Sequence, residues 1–165
     1  MADLVRQLQA AYSGELAAAH AYHGHWRSLR GAGDAAARAE IRRIEEAEWH
    51  HRALVGQLLE ELGAQPSRRR ELVMGTLGRV LGTMCHVSGW FLPMLFAGRL
   101  EAMNVDQYAT AARTVEGMGP GLQAWLPVLE EMTAEEARHE LFFAGCARGH
   151  RLAPLARLLG WRYPA

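Results

Sequence analysis

Apolar residues recur along this chain in alternating steps of three and four, the period of one face of an α-helix. Four long stretches carry the pattern. The first reads Leu4, Leu8, Ala11, Glu15, Ala18, Tyr22, His25, Leu29, and the second Ile41, Ile44, Glu48, His51, Val55, Leu58, Leu62. The third reads Met94, Gly98, Glu101, Val105, Tyr108, Ala112, Val115, and the fourth Leu122, Trp125, Leu129, Met132, Glu136, His139, Phe143, Cys146. Strand-like alternation is nearly absent. Breaks at "GAGD" (31–34), "GAQPS" (63–67), "VSGW" (87–90) and "GMGPG" (117–121) predict long helices over 2–29, 35–62, 89–116 and 121–147. A shorter helix is expected over 68–85, and Asp34 and Ser67 are N-cap candidates.

Short connections join the first helix to the second and the third to the fourth, which makes both pairs antiparallel. The long middle connection lets the second and third helices run parallel. One long crossover is the ferritin-like variant of the four-helix bundle. The expected fold is therefore all-α: a single ferritin-like domain over 1–165, with an extra short helix in the crossover and a short C-terminal helix.

The apolar stripes contain residues that do not belong in oil. Glu15, Glu48, His51, Glu101, Glu136 and His139 all fall on core positions near the middle of their helices. Mid-points of packed helices meet at one level, so six ligands are expected to converge. A buried unpaired carboxylate costs several kcal/mol or takes up a proton, and a cation removes that cost. The order is Glu, Glu-x-x-His, Glu, Glu-x-x-His, the ligand set of di-iron and di-manganese carboxylate bundles. The i,i+3 spacing puts Glu and His on one helix face, where both can reach one metal. Fifteen Glu and eight His in 165 residues would give about 0.7 Glu-x-x-His matches by chance, so one match alone says little. Two occur, both in the stripe. Nitrogen and oxygen donors suit iron or manganese. The competing reading is a buried polar network held by hydrogen bonds, which four acids and two imidazoles fit poorly.

Composition narrows the partners. Eighteen Arg balance eighteen acids and there is no Lys, so nothing points to nucleic acid. Cys85 and Cys146 form neither a disulfide framework nor a CxxC site, and a reducing cytoplasm is the default. The N-terminus has no signal pattern. Residues 80–98 are uncharged for 19 positions, the length of a membrane span, but His86, Ser88, Pro93 and glycines favour a buried or interfacial hairpin.

Neighbouring residues are weighed separately. Glu45, one turn before Glu48, is either an acceptor for a ligating His or a half-exposed surface acid. Tyr22 and Tyr108 each stand seven residues after a stripe Glu and either line a substrate pocket or pack as core aromatics. His25 is read as a core histidine, His20 as off the stripe, His50 as solvated. Arg68–Arg70 read as a solvated helix start, with an anionic membrane surface or partner as the sharper alternative.

These residues resemble the demethoxyubiquinone hydroxylases of the ferritin-like superfamily. "GELAAAHAYHGH" is similar to the family's Gly-Glu opening followed by Tyr-x-Gly, here Gly14, Glu15, Tyr22 and Gly24. "EWHH" and "EEARHE" match its two Glu-x-x-His helices, "LGRVLG" (77–82) the start of its middle hairpin, and "GHRLAPLARLLG" (149–160) the region after its last ligand helix. Gln107 stands where the family has His before the Tyr. The resemblance implies a di-iron monooxygenase that hydroxylates a quinone ring at a membrane surface, with the same six residues as ligands. The cofactors would be two iron ions, with manganese as the alternative. O2, an apolar substrate and an external electron donor or reductase are the implied partners, since no flavin or nicotinamide motif is visible. A peripheral contact with the inner membrane and a homo-oligomer both stay open. The rival is a ferroxidase, iron-handling or peroxide-consuming ferritin-like protein.

Overall fold

A computed structural model describes residues 1–158. The fold is all-α, with no strand among the described residues. Its helices form two compact units, Met1–Val87 and the chain from Ser88 on. Helix pair, crossover helix, helix pair is the order expected of a ferritin-like bundle with one long crossover.

The first unit holds α1 (Ala2–Ser28), α2 (Ala35–Glu61) and α3 (Arg68–Met84). α1 and α2 are antiparallel. Gln9 near the start of α1 donates from Nε2 to the Gln65 carbonyl beyond the end of α2, 2.6 Å away. Trp26 near the end of α1 reaches Glu45 in the first half of α2. Every predicted stripe residue of α1 is buried, and all of those on α2 except half-buried Leu62. α2 stops at Gly63, whose φ of 65° suits glycine. The Gly63 N–H bonds to the Glu60 carbonyl and the Ala64 N–H to the Leu59 carbonyl, a Schellman closure.

α3 packs on α1 through glycine. Gly75, Gly78 and Gly82 are its buried residues. A Cβ on Gly78 would overlap the Ala17 backbone, and one on Gly82 would sit 2.7 Å from the His20 carbonyl. Backbones approach this closely only where no side chain intervenes. Arg52 ties the three helices together. Its guanidinium lies 3.6 Å over the Tyr12 ring, donates to the Tyr12 carbonyl and pairs with Glu71.

The second unit holds α4 (Phe91–Glu116), the single turn α5 (Pro120–Gln123), α6 (Leu126–Arg148) and α7 (Ala153–Leu158). Phe91 and Leu95 at the start of α4 pack with Ala147 at the end of α6, so this pair is antiparallel too. His150 stacks on Trp90 and Phe91 at the same end, with centroids 5.5 and 5.1 Å apart.

Several boundaries differ from expectation, each for a local reason. The third helix starts at Phe91 rather than 89 because Gly89 has φ 77°. The fourth starts at Leu126 rather than 121. Pro127 lacks an N–H and would clash one turn back, so it is tolerated only in a helix's first turn. The last stripe position of α6 is Ala147, fully buried, and Cys146 is half-buried beside it. Val105 and Leu122 are likewise half-buried. Asp34 and Ser67 stand at N-cap positions without a side-chain cap; the Asp34 carboxylate turns back to accept from the Gly31 N–H at 2.9 Å. The uncharged run 80–98 is no single span. It is broken over 85–90 between the end of α3 and the start of α4, and no helix among the described residues is long and apolar enough to cross a membrane. The last positions of the family-like stretch 149–160, and of the expected 1–165 domain, lie outside the described residues.

Candidate metal centre

Each helix pair buries the same set of side chains. In the first unit Glu15 comes from α1 and Glu48 and His51 from α2, with exposures of 2%, 0% and 0%. One donor atom from each lies within 4.8 Å of the other two. In the second unit Glu101 comes from α4 and Glu136 and His139 from α6, all fully buried. Their donor atoms also fall within 4.8 Å of one another, and His139 Nδ1 stands 3.6 Å from Glu136 Oε2.

The local sequence explains the placement. Glu48 and His51 share a face because three residues make almost one helical turn. Ile44 lies one turn before this pair and Val55 one turn after, both buried. Met132 and Phe143 bracket Glu136 and His139 in the same way. Ala11 and Ala18 flank Glu15, and Met94 lies two turns before Glu101. Ionisable groups are thus set in a dry apolar surround, where an ion's charge is strongly felt.

The donors are carboxylate oxygens and imidazole nitrogens. Burial pushes the Cys85 thiol up to about 11 and also raises that of Cys146, so neither is a ready thiolate at neutral pH. Oxygen-rich donors with one imidazole per triad suit iron or manganese.

The other residues sort cleanly. Tyr22 and Tyr108 are buried two turns along the stripe from Glu15 and Glu101. Glu45 is held by α1: it accepts from Trp26 Nε1 at 2.5 Å and sits 3.0 Å from His23 Nδ1. Its partners are therefore a surface imidazole and an indole, not a histidine of the triads. His25 is buried, and desolvation pulls its pKa down to about 4, so it stays neutral as a core residue. His20 packs edge-on to Trp49 at 5.7 Å, and its pKa is lowered by burial and then by Arg79. His50 is exposed.

Sequence reasoning missed two buried polar residues. Ser13 satisfies itself by donating back to the Gln9 and Ala10 carbonyls. Asn104, 9% exposed, follows Glu101 at the spacing that His51 and His139 keep from their own glutamates. That spacing was the available signal.

Nothing matches the chain among curated proteins or among solved structures. A family model does match, described as ubiquinone biosynthesis protein COQ7, and it runs over residues 2–161. The match takes in both triads and all four helices that carry them, and so the chain belongs to the COQ7 ubiquinone biosynthesis family, the ferritin-like di-iron family of the demethoxyubiquinone hydroxylases.

Proposed function

We propose that this protein is an oxygen-activating hydroxylase that holds two iron ions through Glu15, Glu48, His51, Glu101, Glu136 and His139 and hydroxylates a quinone-type ring. The observation that carries this reading is the repeated buried triad, one Glu plus one Glu-x-x-His per helix pair. Family membership implies a di-iron hydroxylase of ubiquinone biosynthesis and supports the substrate class. The charges agree: four carboxylates balance two divalent cations, and each group offsets a burial cost that the other would suffer alone.

Bound iron would supply the redox chemistry that activates O2. The chain's own residues do the rest. The glutamates would hold the cations through their carboxylate oxygens and place negative charge there. His51 and His139 act as neutral imidazole donors. The apolar turns on either side of each triad keep water out. Tyr22 and Tyr108, buried on the same stripes, can donate a hydrogen bond or pass a proton toward the site. A hydroxylation leaves one oxygen atom in the product and one in water, so an external donor must supply an electron pair and solvent the protons.

The test is anaerobic loading with ferrous iron, then O2, a chemical reductant and a short-tailed methoxybenzoquinol, with products weighed by mass spectrometry. One added oxygen atom is expected from the wild type and none from Glu136→Ala. Equal product from the variant would overturn the reading. Iron oxidised at full rate with no organic product would point to an iron-oxidising protein.

We also infer a peripheral contact with an anionic bilayer surface through α3. Opposite its glycines this helix presents Val73, Leu77, Val80 and Met84 to solvent, 43–57% exposed. Arg68, Arg69 and Arg70 are exposed at its start. Apolar side chains flanked by cations fit the boundary between headgroups and acyl chains.

A further inference from the structure

The seam of α4 carries a polar residue that the ligand set does not use. Asn104 is 9% exposed, and no hydrogen bond ties its amide among the described residues. Neither amide atom is among the fully enclosed ones, so its polar end keeps a narrow opening. Through that opening the amide can hydrogen-bond a molecule that reaches this face of the helix.

Its position on the helix says what it could meet. At about 100° per residue, Asn104 stands about 60° around α4 from Glu101 and about 40° from Leu100. On its inner side lie Glu101 and Tyr108, both buried. On its outer side runs a second apolar row of Leu92, Phe96, Leu100 and Met103, with Leu92 and Leu100 half-buried, Phe96 59% exposed and Met103 68% exposed. Asn104 stands at the border between the ligand stripe and this outer row, which is apolar from Leu92 to Met103 and continues one turn on with half-buried Gln107.

Resting on the hydroxylase reading, we propose that Asn104 is a specificity-determining residue: its amide hydrogen-bonds a ring oxygen of an amphipathic substrate whose apolar tail lies over Phe96, Leu100 and Met103. An amide suits this task because it offers both a donor and an acceptor. It can therefore meet a ring carbonyl or a ring hydroxyl. Leucine of similar size could meet neither.

The experiment compares wild type, Asn104→Leu and Asn104→Ser, each loaded with iron under anaerobic conditions. Two probes are titrated: a short-tailed methoxyhydroquinone, and the same tail on a ring without oxygens. Metal content and melting temperature are recorded for each variant. Asn104→Leu should keep its iron, melt no lower than wild type, and bind the hydroquinone about tenfold more weakly, the size of one hydrogen bond to a buried polar group. Its affinity for the oxygen-free ring should not change, and Asn104→Ser should recover part of the loss. An unchanged hydroquinone affinity, or an equal loss for both probes, would overturn the assignment while leaving the hydroxylase reading intact. Failure of iron-loaded wild type to bind the hydroquinone at all would overturn both.

Discussion

His25 illustrates what burial does to one titratable group. Desolvation lowers its pKa from 6.5 to about 4. Between those values the unfolded chain binds a proton that the folded chain refuses. His25 therefore favours folding fully above pH 6.5, and that support is lost as pH falls toward 4. One pKa unit corresponds to about 1.4 kcal/mol, so the part lost between pH 7 and pH 5 is on the order of 2 kcal/mol. Urea unfolding of metal-free protein should show this. His25→Leu removes the titrating group, so its stability should fall less over that interval than that of the wild type. Parallel pH profiles for the two proteins would refute the assignment.

The helices show how far periodicity carries and where it stops. Four stripes were legible because burial follows a 3.6-residue period, and Glu and His were legible within them because they interrupt it. The start of α6 was misplaced although Pro127 was in view, since a proline constrains the backbone whatever the hydropathy around it. α3 was less legible still. Its apolar row reads like a core stripe, yet its buried face is Gly75, Gly78 and Gly82. Hydropathy gives glycine almost no weight, whereas close helix approach depends on it. The inverted helix leads to a membrane prediction. In co-sedimentation with vesicles containing anionic lipid, Leu77→Glu with Val80→Glu should reduce the bound fraction severalfold, while helix content and iron uptake stay as in the wild type. Undiminished sedimentation of the double variant would remove α3 as the contact.

At the scale of the whole chain, one device is used twice: an antiparallel pair with Glu on its first helix and Glu-x-x-His on its second. The six residues could be picked out from linear spacing because each pairs with a near neighbour on its own helix or stands alone at mid-helix. Asn104 escaped because its spacing from Glu101 was the one available signal, and an amide at that spacing stands out only once its burial is known. Since each pair brings three donors together, metal uptake should count the triads. Wild type should take up two ferrous or manganous ions per chain. Glu48→Ala and Glu136→Ala, one from each triad, should each take up one or fewer. A bound ion stabilises only the folded chain, by about 2.7 kcal/mol at a hundredfold excess over its dissociation constant. For a chain of this size that raises the melting temperature by about 5–10 °C, and a chelator should reverse the rise. If full stoichiometry survived in both variants, the buried acids would have to be held by something other than metal, and the iron chemistry would have no seat in this protein.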